Sequence, residues 1–253
     1  MTTPCHQVTT YMREIEFGNG EFYHVYNRGV EHRPIFINQQ DYRQFYETMF
    51  LFNNKDYTNP SGKTEKNAQM LAVSGVSDVF RDRFVRIVAF CLLRNHFHFF
   101  LEQLVDGGVS KFMHKLEMRY GKRFNKLYNR SGVLLEGPFE AKHLDNEAYF
   151  SHIIRYIHLN ALDEHFSQWR EGKIDNWEEA MAILNEYPWS SHSVYLQKGQ
   201  FLPVVDEDFV KNLFPDVHEY INFLRQWAER EKGLSPGDHP LSPGDNPFWE
   251  LDL

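Results

Sequence analysis

Two histidines one residue apart, His96 and His98, fall in a run dense in β-branched and aromatic residues, His96 to Leu101. Alternate side chains of an extended strand share a face, so both imidazoles point the same way and two neutral ring nitrogens can share one divalent ion. The pattern is weak by itself, since 13 histidines in 253 residues give about 0.7 such pairs by chance. A second set lies further along the chain. Tyr149, His152, Tyr156 and Asn160 follow one another at steps of three, four and four, which lines them along one side of a helix. In isolation that side is a rim of amphipathic residues bordering an apolar stripe. With an ion held nearby, Tyr156 and Asn160 would meet it together.

The elements that must position these residues can be read from the same chain. Phe22 to Asn27 is rich in β-formers and ends in Arg28-Gly29, a strand running into a turn. After Asn38, residues Tyr42, Phe45, Tyr46, Met49 and Phe50 recur at helical spacing, with Asp41 placed to favour the helix N-terminus. Residues 53–75 are polar and turn-forming without a period, and read as a flexible insertion. Phe84 to Leu93 and His96 to Leu101, joined by Arg94-Asn95, read as a hairpin in a buried sheet. From Ser110 to Tyr128, Phe112, Met113, Leu116, Tyr120, Phe124 and Leu127 mark a basic amphipathic helix. Asp145 or Asn146 caps a further helix running to about Leu162 with Phe150, Ile153, Ile154 and Ile157 on its apolar face. This alternation predicts an α+β fold, a ferredoxin-like antiparallel sheet with helices packed on it.

Composition sets limits. The chain is 42% hydrophobic, enough for one domain with a substantial core. No leader pattern or membrane-length apolar run is present, so a cytoplasmic protein without a membrane partner is expected. Cys5 and Cys91 are far apart and in no ligand spacing, which favours free thiols. The net charge of −8 argues against nucleic acid until its distribution is considered. Residues 203–253 hold eleven acidic and four basic residues, while residues 111–142 hold eight basic and three acidic ones. The expected organisation is an N-terminal extension over 1–20, a main domain over 21–200, and an acidic C-terminal extension over 201–253. That extension ends in the tandem repeat LSPGDHP-LSPGDNP at 234–247, unsuited to a helix or sheet interior.

Several segments together resemble the IS200-like transposases, including their stand-alone relatives associated with repetitive extragenic palindromes. Arg94-Asn95-His96-Phe97-His98-Phe99 resembles the family's PNHxH strand, and Tyr23 through Gly29 its first strand, with Ile35-Phe36 and Asp41-Tyr42 as its continuation. Tyr120 through Gly132 is similar to its YFN helix and turn, and Glu136-Gly137 to its WEGR step. Arg155 through Asn160 resembles its RYIxLN helix, and Tyr187-Pro188-Trp189-Ser190-Ser191 its closing YPWSS turn. The joint order over roughly residues 20–200 makes the resemblance specific. Two positions depart from it: Arg94 replaces the usual Pro, and the basic GRF step reads Gly137-Pro138-Phe139-Glu140, which weakens a phosphate contact.

The resemblance implies that His96 and His98 are metal ligands, that Asn160 offers a further ligand, and that Tyr156 is the nucleophile of a single-stranded DNA endonuclease and strand transferase. A tyrosine phenol with a pKa of about 10 needs help to attack a phosphodiester, and Mg²⁺ or Mn²⁺ can supply it by polarising the phosphate. The product would be a 5′-phosphotyrosine with a free 3′-hydroxyl. Hairpin-bearing single-stranded DNA is the implied partner, and relatives act either as homodimers or as monomers. In that context Lys115, Arg119, Lys122 and Arg123 are candidates for phosphate contacts, against a plain reading as a solvated face. His152 and His158 have no family role; the first can approach the metal and the second reads as structural. Two other classes compete: a domesticated DNA-binding protein of the same fold that cuts nothing, and a ferredoxin-like RNA-binding module, which would show aromatic and basic residues where this hairpin shows histidines.

Overall fold

Strand β1 (Phe22–Arg28), helix α1 (Gln39–Phe52), strands β2 (Val85–Leu93) and β3 (His96–Gln103), helix α2 (Gly108–Leu127) and strand β4 (Glu140–Leu144) follow one another in βαββαβ order. The computed structural model describes residues 15–55, 57, 82–146, 148–166 and 168–228. Its strands pair in the order β2-β3-β1-β4, every pair antiparallel. This is the α+β, ferredoxin-like sheet expected from the alternation of elements.

The period of two along each strand divides the sheet into two faces. Phe97 and Phe99 turn toward α1 and α2, where Phe45 lies 5.2 Å from the Phe97 ring and Phe112 lies 6.2 Å from the Phe99 ring. Each such phenylalanine taken from water contributes about 1.5–3 kcal/mol. His96, His98 and Phe100 turn the other way, and the register sets Arg28, Tyr26 and His24 opposite them on β1. That second face is covered by α3 (Ala148–Leu159), whose Phe150 ring sits 5.2 Å from Phe100 and 4.4 Å from Phe22.

Local chemistry fixes the entries to these elements. Asn38 caps α1 by accepting from the amides of Gln40 and Asp41, and the Asp41 carboxylate accepts from the Asn38 amide, a reciprocal capping box. Gly29 ends β1 where a Cβ would lie 2.1 Å from the Arg33 carbonyl, so only glycine fits, and its N–H donates to the Asn95 carbonyl at 2.7 Å. The YPWSS segment pins the outer edge of β2. Leu92 N–H donates to Trp189 O, Ser191 N–H donates to Phe90 O, and the Tyr187 hydroxyl donates to Leu92 O.

Beyond α3, a 3-10 turn (Asn160–Leu162) continues the helix and another (Trp169–Glu171) follows it. Then come α4 (Trp177–Glu186), α5 (His192–Tyr195), α6 (Glu207–Leu213) and α7 (Val217–Ala228). The acidic extension is therefore helical over much of its first part. Leu202, Val204, Val205, Val210, Tyr220, Leu224 and Trp227 are buried in the same core as the sheet. Its acids are used locally: Asp206 caps α6 through Phe209 N–H and pairs with Arg83 and Arg86, both at 3.0 Å. The tandem repeat lies outside the described residues, as does most of the 53–75 insertion. At the start of that insertion Asn53 is buried and held by β2, donating to Val85 O and accepting from the amides of Phe84 and Val85. Among the described residues no helix is long and apolar enough to cross a membrane.

Candidate active site

The face of the sheet covered by α3 gathers the histidines and the tyrosine. His96 is 6% exposed and His98 0%. The Tyr156 ring stands edge-on to His98 with centroids 5.4 Å apart, and edge-on to His24 of β1 at 5.8 Å. Tyr156 reaches the sheet because the apolar stripe of α3, with Ile153, Ile154 and Ile157 fully buried, presses that helix against β2 and β3.

The two histidines are held alike. His96 Nδ1 lies 2.8 Å from Asn95 Oδ1, and His98 Nδ1 lies 3.0 Å from His24 Nε2. The Nε2 atoms of His96 and His98 are buried and have no hydrogen-bond partner among the described residues. Burial, then the charges of Arg170 and Arg28, holds His96 down at about 3. Burial, then His96, His24 and Arg170, carries His98 well below the usual imidazole range. Both rings are neutral at physiological pH, with lone pairs to offer.

Asn160 follows Tyr156 by one turn. Its amide nitrogen donates to Tyr156 O at 2.6 Å and its amide oxygen accepts from Arg170 at 2.9 Å, which fixes the orientation of the amide. An amide oxygen has two lone pairs, so one remains for another partner. Arg170 is itself clamped by Asp163, at 2.8 and 2.9 Å, and stacks over Trp169. Burial raises the Tyr156 phenol above its ordinary value, and the Arg170 guanidinium beside it works in the opposite direction by charge and hydrogen bonding. A cation is thus already built in where a phenolate would form.

The structure brings together His96, His98 and Tyr156, and ties Asn160 to the Tyr156 carbonyl and to Arg170. It does not bring Lys115, Arg119, Lys122 and Arg123 to them, because α2 packs on the opposite face of the sheet; Lys115 Nζ lies 4.6 Å over the Phe84 ring. His152 faces Arg155 at 2.7 Å and the Phe223 ring instead of the histidine pair. Glu140 on β4 accepts from the Tyr26 hydroxyl at 2.7 Å, so the acid that replaces the family's basic step stands at the border of the site face. Cys91, opposite His98 on β2, is buried, and that burial keeps its thiol protonated. Among the described residues no three His, Cys, Asp or Glu side chains converge as a metal cluster, so the candidate ligand set is two imidazoles and an amide.

Sequence reasoning missed His24 and Arg170. The period of two in FYHVYN already put His24 on one face with Tyr26, but the strand register that sets it beside His98 is a long-range property. Arg170 lies ten residues beyond Asn160 in a three-residue 3-10 turn and carries no local signal.

Residues 64–160 match the family model described as Transposase IS200 like. The matched segment contains His96, His98, Tyr156 and Asn160. No curated protein matches the chain. Among solved structures, a REP-associated tyrosine transposase bound to a REP hairpin is 13% identical, covering 76% of this chain and 88% of that one, with a TM-score of 0.45. The tRNA(His) guanylyltransferase of Saccharomyces cerevisiae is 9% identical, covering 91% of this chain and 85% of that one, with a TM-score of 0.30.

Proposed function

We propose that this chain is a metal-dependent single-stranded DNA endonuclease and strand transferase of the transposase type. In this reading Tyr156 is the nucleophile and His96, His98 and Asn160 are ligands for Mg²⁺ or Mn²⁺. The substrate is hairpin-bearing DNA. The observation that carries the reading is the buried meeting of the His96/His98 pair with Tyr156, within the segment that matches the IS200-like model.

The residues fit a divalent cation. Two neutral imidazoles leave buried Nε2 atoms without a hydrogen-bond partner among the described residues, and the Asn160 oxygen keeps a lone pair. When bound there, the cation would polarise the scissile phosphate and offset its developing charge. The chain's own residues do the rest. The Tyr156 phenolic oxygen, its proton lost to water, attacks phosphorus; the bond from phosphorus to the 3′-oxygen breaks, and that oxygen leaves as a 3′-hydroxyl after taking a proton. The 5′-phosphate stays on Tyr156. Attack by the 3′-hydroxyl of a second strand reverses these steps and restores the phenol. The bond energy is kept in the phosphotyrosine, so no nucleotide cofactor is needed. Arg170 stabilises the phenolate, and Asn160 anchors the end of the helix that carries it. Lys115, Arg119, Lys122 and Arg123 would serve DNA that wraps to the α2 face, as contacts that position the backbone without reading sequence.

The test is incubation of the protein and of Tyr156→Phe with labelled hairpin-bearing single strands, in Mn²⁺ or EDTA, followed by denaturing gels. An adduct that needs both Mn²⁺ and Tyr156 is expected. Firm DNA binding without an adduct, over a varied set of sequences, would move the reading to a DNA-binding protein that cuts nothing.

A further inference from the structure

We infer that His24 is a positioning residue for the metal site: it accepts the Nδ1 proton of His98 and so commits the His98 Nε2 lone pair to the cation. The inference rests on the ligand reading of His96 and His98 given above, and goes beyond it to a residue on another strand.

The geometry leaves few arrangements. His24 is 0% exposed and sits diagonally across the β1–β3 ladder from His98, since β1 places Tyr26 opposite His98 and His24 opposite Phe100. The two rings stack at 5.2 Å, and His24 Nε2 is 3.0 Å from His98 Nδ1. One proton lies between these nitrogens. If His24 supplied it, His98 would carry its own proton on Nε2 and offer a cation no lone pair; either way one buried N–H is left on the pair, on His98 Nε2 or on His24 Nδ1, so the choice rests on what a ligand needs. If His98 supplies it, Nε2 becomes a lone pair directed away from His24, the form a metal ligand needs.

His96 shows the same arrangement with a partner whose role is unambiguous. Asn95 Oδ1 can only accept, so His96 Nδ1 is the donor at 2.8 Å and Nε2 is the lone pair. The two ligand histidines are therefore backed by two acceptors, Asn95 from the hairpin turn and His24 from the neighbouring strand. Both supports are themselves anchored, because Gly29 N–H at the end of β1 holds the Asn95 carbonyl at 2.7 Å. This hydrogen bond ties the hairpin turn to the end of the strand that carries His24.

The experiment is Mn²⁺ titration by calorimetry into the full chain, His24→Phe and His24→Gln, with thermal melts of each. His24→Phe keeps an aromatic ring and removes the acceptor, and should weaken Mn²⁺ binding by about 10- to 100-fold. His24→Gln offers an amide oxygen and should restore affinity to within a few-fold of the parent, a recovery that a packing role would not give. Nitrogen-15 histidine spectra of the metal-free parent should show His98 protonated on Nδ1, a readout that stands even if His24→Phe does not fold. Equal Mn²⁺ affinity in the parent and His24→Phe, or a proton on His98 Nε2, would overturn the role of His24 while leaving the metal site intact. A parent chain that binds no Mn²⁺ would overturn the metal reading and this inference with it.

Discussion

Helix α3 contributes to two buried clusters of histidine and tyrosine, Tyr156 to one and His158 to the other, and they treat their histidines differently. On the sheet side, His96 and His98 each leave Nε2 without a partner among the described residues. On the far side, His158 uses both ring nitrogens, Nε2 with Ser191 Oγ at 2.7 Å and Nδ1 with the Tyr220 hydroxyl at 2.8 Å. The same hydroxyl lies 2.6 Å from His192 Nδ1, so it donates to one ring and accepts from the other. Nearby, the Arg155 guanidinium is sandwiched between Phe223 and Trp227 of α7 at 4.5 and 4.7 Å. A buried polar group that closes onto the protein holds elements together, whereas one left open costs stability and is kept for another purpose. The second cluster ties α3 to α5 and α7, and the first presents nitrogens on the face where Tyr156 stands. His192 Nε2 is the one ring nitrogen of the second cluster without a partner among the described residues, so the division there is not complete.

The largest effect that would break this contrast belongs to His96→Ala. If the sheet-side cluster binds Mn²⁺, a concentration of 100 Kd stabilises the parent by about 2.7 kcal/mol. The variant should lose that shift, and its adduct formation should fall to the level seen in EDTA. Its metal-free stability should change by about 1 kcal/mol or less, because the lost packing is offset by removal of a partnerless buried nitrogen. Urea unfolding with and without Mn²⁺ measures both quantities. A Mn²⁺ shift that survives in His96→Ala would remove this histidine from the ligand set.

Tyr220→Phe is the counterpart on the far side. It strips a hydroxyl from two buried imidazoles, which should cost about 1–3 kcal/mol, or roughly 2–4 °C of melting temperature per kcal/mol in a domain of this size. The Mn²⁺ shift should persist at temperatures where the variant is folded. An unchanged melting temperature would mean that the hydroxyl does not hold the cluster together. Loss of the Mn²⁺ shift in a folded variant would mean that the two clusters are coupled through α3.

The legibility of the two clusters follows the same line. Local period set His96 and His98 on one face of a strand and Tyr156 on one side of a helix, but it was the resemblance to the IS200-like transposases that joined them into one site. Three of the four strands and the helices between them were visible through that same local period, whereas β4, five residues long and buried only at Leu144, carried no such period. His158, Ser191, His192 and Tyr220 come from elements separated by as many as 62 residues, and their meeting depends on packing that no local period encodes. The helices α6 and α7 were hidden by composition. Eleven acids in the last fifty-one residues suggested a solvated extension, yet Tyr220, Leu224 and Trp227 recur at steps of four and three and are buried. A helical stripe of three large residues was legible there and was outweighed by the net charge.

The smallest effect separates the clusters by their protons. Burial, with a smaller contribution from Lys198, lowers His192 to about 3 in the folded chain, against about 6.5 when unfolded. Above pH 6.5 neither state binds the proton, and the stability is fully present. As pH falls below 6.5 the unfolded chain takes up a proton that the folded chain refuses, so stability declines toward pH 3. For a single histidine the loss at pH 5.5 is on the order of 1 kcal/mol. His192→Gln, whose amide can still meet the Tyr220 hydroxyl, should therefore lose on the order of 1 kcal/mol less than the parent between pH 7.5 and 5.5 in metal-free urea unfolding. Equal losses in the two proteins would mean that His192 is protonated as readily in the folded chain as in the unfolded one, and that the far-side cluster is open to water. At pH 7.5 the variant should keep the full Mn²⁺ shift, because its imidazole belongs to the cluster that closes on itself.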